Sequence, residues 1–493
     1  MYSPKIVMLE FNELCPPLLD RWMASGELPN FKALHNNSQV FITEADAEPP
    51  ALEPWIQWYS IHTGLSFAQH QVFRLTDGPR APYPDIWSIL SRSGLATGNF
   101  SSMNAKRLAE PGSFFLADPW CTTEQAYPKR LQQFHNFVSR EVQEYSNRGR
   151  AIEFAAAVKF LGFMAAHGLR AATVANVLSL LGHELFVDRA SGWRRTVVLD
   201  WLQRDAFFSY CRKYRPAFAT FFLNSTAHLQ HSYWRCMDPN AFTIQPTPDE
   251  IEHYSEAIKF GYLNMDRLLG DFRALAAEEG LTLVLATGLS QQPFLRYENE
   301  GGQNFYRPRD VNALLRDIGV RAAASEPVMT HQYVLRFADD DEARAEAKTL
   351  IADLVCAGRQ VFEIGTRDQN ALYIGCQLAT TLPPTVLLQS KSGRFPDSPF
   401  FDTFYHIDAL KSGCHHPDGV LWIGAGEPQV HRQKVSVLDI FPTILEMLGV
   451  DYAPSDAHPF AGSSLLPLWE GPAERADTGC CGIASVRTSE PAI

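Results

Sequence analysis

A few short stretches of the chain carry side chains that could do chemistry. In residues 223–235, LNSTAHLQHSYWR, His228 and His231 stand three apart, which turns both to one side if the segment is helical. In 412–418, SGCHHPD, His415 and His416 follow Cys414. Imidazoles bind zinc-like dications together with carboxylates, and three protein donors plus one open position is the usual catalytic arrangement. Histidines so spaced are equally at home in a hydrogen-bonded polar pocket. Adjacent side chains seldom meet productively, so a Cys414–His415 nucleophile is not expected. Glu53 precedes Pro54 at the start of a helical stretch. The positive end of that helix is expected to lower its pKa, and the carboxylate could be a general base, a covalent nucleophile, a metal ligand or only a dipole partner. Glu10 and Glu13 flank Asn12 at the end of an apolar run, KIVMLEFN. A carboxylate inside such a run is costly unless paired, so Glu10 should have a partner. Gln57 and His62 share the helix that follows Glu53, open to a structural or a functional role. In 290–308, SQQPFLRYENEGGQNFYRP, Arg296 and Arg307 could receive an anionic group, or the stretch could be a plain surface loop.

The elements that must position these groups alternate between strand and helix. Apolar runs at 5–12, 217–223, 281–287 and 419–424 read as buried strands, with a further strand at 95–100. Helices are expected over 16–25, 29–36, 54–62, 84–93, 249–279 and 436–449, the last with Pro442 inside it. Such alternation implies a mostly parallel sheet with helices on both faces, and a site at the carboxyl ends of the strands. Residues 130–215 are strongly helical and too long for a simple crossover, and 295–410 mix short strands with helices at 309–317 and 341–357. The apolar zone 151–187 is broken by Lys159, His167 and Arg170, and reads as buried or amphipathic helices, not a membrane span. The 493 residues, 46% hydrophobic and 20% charged, suffice for a large α/β domain with insertions. A formal charge of -12 argues against nucleic acid as a partner. Nine scattered cysteines without a CxxC pair read as reduced thiols, and the opening MYSPKIVMLEF lacks a signal-peptide pattern, so a cytoplasmic location with no membrane partner is expected.

Six segments, in order, resemble the alkaline phosphatase superfamily, in its type I phosphodiesterase/nucleotide pyrophosphatase branch. KIVMLEFNELCPPLLDRWMASGELPNFKAL is similar to the branch's first strand, helix and G-x-L-P-N step; EPWIQWYSIHTGLSFAQHQVF to its nucleophile helix, with the following T-G and the turn at His70. FFLNSTAHLQHSYWRCMDP resembles its D-x-x-x-H-x-x-W metal segment, LTLVLATGL its S-D-H-G strand end, SGCHHPDGVLWIGAG its final metal histidine, and VLDIFPTILEMLGV its closing helix. The resemblance implies an alkaline-phosphatase-like α/β core over 1–100, 217–290 and 412–472, with a helical insertion at 101–216 and a second insertion or cap of α+β type at 291–411; the polar, small residues of 473–493 read as a disordered tail.

The resemblance also implies two zinc-like metals, which hold phosphoryl oxygens and activate a Thr or Ser nucleophile and water. Several of the positions concerned hold other residues. Asn12 stands for an Asp, Glu53 or Pro54 for the nucleophile, and Thr287-Gly288 for an Asp-His pair, which removes one metal site. The other retains His231 and His415 in register, with Ala227 in place of its Asp. One divalent metal, zinc or manganese, could sit on His231 and His415, with His228, His416, Glu10 or Glu53 completing the shell; the two histidines are otherwise remnants in a polar pocket. Three functions follow. The first is a remodelled enzyme acting on a phospho- or related ester, a small anionic substrate, with Glu53, Asn12 and Glu10 in the catalytic region and Thr287, Gln57 and Arg296 lining it. The others are a non-catalytic protein that binds a ligand or partner in the same pocket, and a transferase or lyase reusing the cleft. Polar rather than apolar replacements at Glu10, Asn12, Glu53 and Thr287 favour the enzyme, because a silent pocket fills more cheaply with hydrophobes.

Overall fold

The computed structural model describes residues 5–121, 123–143, 154–328, 331–338, 340–368, 370–407 and 410–468. The tail expected at 473–493 lies outside them.

A nine-stranded mixed sheet forms the centre. Strands β1 (Lys5–Phe11), β2 (Gln39–Glu44), β3 (Thr97–Phe100), β4 (Phe114–Leu116), β5 (Phe218–Leu223) and β6 (Leu281–Ala286) belong to it, with Asp418–Ile423 and two short edge strands. Five neighbours, in the order β6, β1, β5, β3, β4, run parallel. Asp418–Ile423 lies antiparallel between β6 and β2. The α/β architecture expected from the alternating pattern is therefore the one observed. Glu10 lies level with Phe222 of β5 and Ala286 of β6, so the carboxyl ends of the three strands open side by side. The residues just beyond them, Asn12 and Glu13, Asn224 and Thr287, meet at that edge.

The alternation of side chains along β1 decides which layer each residue joins. Val7, Leu9 and Phe11 enter the larger core, beneath helices α1 (Pro16–Ala24) and α2 (Pro29–His35) and the long helix Ala257–Glu279. Ile6 and Met8 face the other core, with Trp58 and Ile61 of helix α3 (Pro54–Thr63). Glu10 shares this second face, and its expected partner is His62 of α3, 2.8 Å away with both side chains buried.

Residues 305–407 carry a hydrophobic core of their own, in which Leu335, Ile351, Phe362 and Leu372 are buried between antiparallel strands and the helix Asp341–Ala352. One sequence expectation needs correction. The helix expected over 341–357 stops at Ala352, and Leu354–Cys356 is a strand paired with Leu387–Ser390. The apolar zone is amphipathic, as expected: Phe160, Phe163 and Met164 are buried in the larger core, whereas the helix Ala171–Phe186 has Thr173 as its one buried residue and exposes Leu178 and Leu185. Pro442 does not break its helix, because it falls in the first turn of Ile440–Met447, where no backbone N–H is needed.

Asp200 is buried between two helices and β5, accepting from Ser225 Oγ at 2.5 Å and Asn264 Nδ2 at 2.9 Å. Burial, against these two hydrogen bonds, pushes its pKa up to about 8. A carboxyl with a raised folded-state pKa stabilises the fold fully below its unfolded value near 3.8, and that contribution fades as pH rises toward 8. An Asp200→Asn variant should therefore lose less stability than the parent between pH 5 and 8, by about 3–4 kcal/mol in urea unfolding. Parallel pH profiles for the two proteins would refute the assignment.

Candidate metal centre

Three side chains from distant parts of the chain converge at the carboxyl edge of the sheet: Glu13, His231 and His415, whose ligand atoms all lie within 4.8 Å of one another. Glu13 follows β1 in the left-handed conformation, φ 62°, a turn that reverses the chain and points its carboxylate back over the strand ends. His231 comes from the helix Ser225–Met237, which starts directly after β5. His415 comes from the strand Gly413–His416, paired antiparallel with strand β7 (Ser290–Pro293). Glu13 Oε2 lies 3.2 Å from His231 Nε2 and 3.7 Å from His415 Nε2.

The opposite nitrogen of each ring is held by a backbone carbonyl. His231 Nδ1 lies 3.1 Å from the Gly413 carbonyl, and His415 Nδ1 lies 2.7 Å from that of Leu52. Such a contact orients each ring with Nε2 toward Glu13, as in metal sites whose histidines are oriented from behind. The carboxylate is held as firmly. Glu13 Oε1 accepts from Asn12 Nδ2 at 2.7 Å, its other oxygen accepts from Gln291 Nε2, and Gln230 Nε2 donates to its carbonyl at 2.8 Å. Gln291 stands directly across from His415 in the strand pair, so one register places both. Gly413 is needed there, since a Cβ would come within 2.3 Å of Gln291 Oε1 and 2.6 Å of the Gln230 carbonyl.

Charge states suit a cation. Burial pulls the Glu13 carboxyl up, but the two imidazoles and the hydrogen bonds from His231 and Gln291 outweigh it and bring the pKa down to about 2. Burial lowers His415 to about 4, against the pull of Glu13, so the ring is neutral and its lone pair free near pH 7. A tetrahedral shell with bonds of about 2.0–2.1 Å sets donors about 3.3 Å apart. The Glu13–His231 and Glu13–His415 separations of 3.2 and 3.7 Å bracket that spacing. Two imidazoles and one carboxylate thus fit a zinc-like dication.

Glu53 is the next group outward. It caps α3, and its Oε2 lies 3.5 Å from His415 Nδ1. The expectation that the helix end would lower its pKa is overturned. Burial dominates and, with the Glu13 charge, lifts the carboxyl to about 7 despite Lys411 and His231. Its side chain accepts no hydrogen bond from the backbone of α3, so the helix end stabilises the anion little.

The other sequence candidates fall elsewhere. His228 and His416 are not part of the cluster. His416 follows His415 in a strand and so points to the other side, where its Nδ1 accepts from the Asp418 N–H at 3.1 Å. His228 sits on the same helix as His231 but is offset by about 60° around it, and burial lowers its pKa to about 4. Glu10 is bound to His62 in the layer beneath the sheet. Asn12 does not present a free amide: it donates to Glu13 and Asn224 and accepts from Trp58 Nε1 at 2.8 Å. Thr287 Oγ1 accepts from the Val420 N–H at 2.9 Å, closing the seam between β6 and its antiparallel neighbour. Gln57 Oε1 accepts from the Asp46 N–H at 2.8 Å. Arg296 is exposed and stacks over Tyr297, and Arg307 bonds the Tyr333 hydroxyl in the separate core of residues 305–407. Burial raises the Cys414 thiol, which offers no thiolate nucleophile. Sequence reasoning noted Glu13 as a neighbour of Asn12 but not as a ligand, and it missed Gln291. The available signal was the position of Glu13 just past the carboxyl end of a buried strand.

No family model matches this chain, and no curated protein matches it. Among solved structures it is similar to the alkaline phosphatase PafA, with 14% identity and a TM-score of 0.46 over 94% of this chain and 99% of that one. It is also similar to a phosphonoacetate hydrolase from Sinorhizobium meliloti, with 13% identity and a TM-score of 0.39 over 91% and 96% of the two chains. Human ectonucleotide pyrophosphatase/phosphodiesterase 5 gives 11% identity and a TM-score of 0.38 over 93% and 97%. No residue role is carried across from these proteins.

Proposed function

We propose that this chain is a metal-dependent hydrolase of phospho- or related esters, working with one divalent ion. The carrying observation is the convergence of Glu13, His231 and His415, each held from behind by the surrounding polypeptide. Glu13 supplies the carboxylate that position 227, an alanine, lacks. Zinc or manganese held there supplies Lewis-acid stabilisation of negative charge on an ester oxygen. Glu53, with a pKa near 7 and a place next to His415, is suited to take a proton from an attacking water and return it to the leaving group. Lys411, whose charge acts on Glu53, offers a cation for an anionic substrate and replaces Arg296 in that role. No side chain at 53 or 54 provides a hydroxyl nucleophile, so direct attack by water is preferred to a covalent intermediate. The described cysteines are all free thiols, in keeping with a cytoplasmic setting, and among the described residues no helix is long and apolar enough to cross a membrane.

The test is metal content by mass spectrometry on protein purified without a metal-binding tag. About one zinc or manganese per chain is expected, lost in a His231→Ala/His415→Ala variant. Absence of metal at any supplementation sinks the proposal and favours a non-catalytic binding protein. Glu53→Gln should keep the metal and the fold while turnover of aryl phosphodiesters or sulfate esters falls roughly 10²–10⁴-fold. Unchanged turnover would remove Glu53 from the reaction.

A further inference from the structure

Outside the metal centre, the helices Phe154–Ala166 and Ala171–Phe186 present an apolar surface that none of the described residues covers. Leu178, Leu185 and Phe186 are 64%, 62% and 83% exposed, and Leu161, Val174 and Leu181 are also exposed. From Ala171 to Gly182 the second helix has no charged side chain. A narrow stripe of it turns inward, with Thr173, Val177 and Leu180 packed and His183 and Glu184 bonded to Ser191 and Arg195. From the exposed fractions, these six side chains present on the order of 650 Å² of surface, at the top of the range for the largest patch on a monomer and near what one partner contributes to a standard interface.

The detail of this face is that of helix packing. Exposed Ala171, Ala175 and Ser179 form a row of small side chains, four residues apart, beside the ridge of Val174, Leu178, Leu181 and Leu185. A row and a ridge side by side are self-complementary, since the ridge of one helix fills the groove of another. Gly162 and Gly182 are mid-helix, where glycine costs about 1 kcal/mol, yet a Cβ at either would meet nothing within 4 Å. Their cost is explained by the close approach of a backbone from outside the chain. A lipid surface fits less well. Interfacial helices carry lysines and arginines on their polar face. Here Lys159 is the one cation on the two helices, Arg170 between them is paired with Asp271, and the chain's net charge is -12.

We infer that the outward face of Ala171–Phe186 is a homodimer interface, packed against the same helix of a second copy across a two-fold axis. The test is light scattering with sedimentation equilibrium on the full chain. The parent should be dimeric, and Leu178→Glu/Leu185→Glu should raise its dissociation constant by about 100-fold or more with the melting profile of a folded monomer. Gly182→Ala improves helix propensity and adds a Cβ that meets nothing within 4 Å in its own chain, so it should weaken the dimer without a folding defect. A parent that stays monomeric at about 50 μM, or a dimer that both variants leave intact, overturns the inference. So does a monomer that sediments with phosphatidylglycerol vesicles and is released by the glutamate variant, which would place a lipid there instead.

Discussion

A Glu13→Gln variant is expected to lose its bound metal while keeping its fold. Glutamine matches the shape of glutamate, so the turn after β1 and the packing around it are retained. What changes is charge. With His415 neutral near pH 7, Glu13 supplies the one formal negative charge of the donor cluster. A dication then faces two imidazoles and an amide, and Gln291 Nε2, which now donates to the carboxylate, meets a weaker acceptor. Removing partners that merely orient a ligand typically costs about 10–100-fold in metal affinity, and losing a charged ligand should exceed 100-fold. Competition with a chelator reads this directly. Melting reads it independently: a metal held at 100 times its dissociation constant stabilises the fold by about 2.7 kcal/mol, so chelation should lower the parent's melting temperature and leave the variant's unchanged. Affinity within threefold of the parent would show that Glu13 is not a ligand.

Arg204→Met is expected to be the most damaging change to stability. Arg204 is buried; its Nε donates to Asp205 Oδ1 at 2.8 Å, Nη1 to Asp271, and Nη2 to Thr173 Oγ1 at 3.0 Å. Asp205 is fully buried, and its other oxygen accepts from the Arg170 N–H at 2.9 Å. Methionine keeps the apolar stem but leaves that carboxylate without its countercharge. Breaking a buried pair from one side typically costs about 3–5 kcal/mol, most of it the desolvated charge left behind. Equilibrium urea unfolding should show that loss, and Arg204→Met/Asp205→Asn should recover part of it by removing the orphan charge. A loss under about 1 kcal/mol would mean that Asp205 is satisfied without Arg204. The same cluster ties Thr173 and Arg170, at the start of the outward helix, to the body of the protein. Dimer formation should weaken along with stability.

Much of this molecule is legible in local pattern. Continuous apolar runs such as KIVMLEFN can only be strands buried on both faces, and their alternation with helices dictates the parallel sheet and the edge where a site can form. The same reading finds the need of Glu10 for a partner, and the family resemblance singles out His231, His415 and the missing hydroxyl at 53 and 54. It does not find that His62 is that partner, or that Glu13 completes the donor set. Residues 13, 231 and 415 become neighbours only through strand register and a left-handed turn at Glu13, and neither leaves a mark in local sequence. The Glu53 carboxyl makes the same point energetically. Its place at a helix start argues for a lowered pKa, and the folded protein raises it to about 7. Desolvation depends on every group packed around a charge, most of them distant in sequence, whereas helix position depends on the few residues beside it. By itself the sequence determined the strands, the helices and the kinds of chemistry at hand. The tertiary structure alone decided which of those groups meet and in what state of charge, because contact and burial are long-range properties of the packed chain.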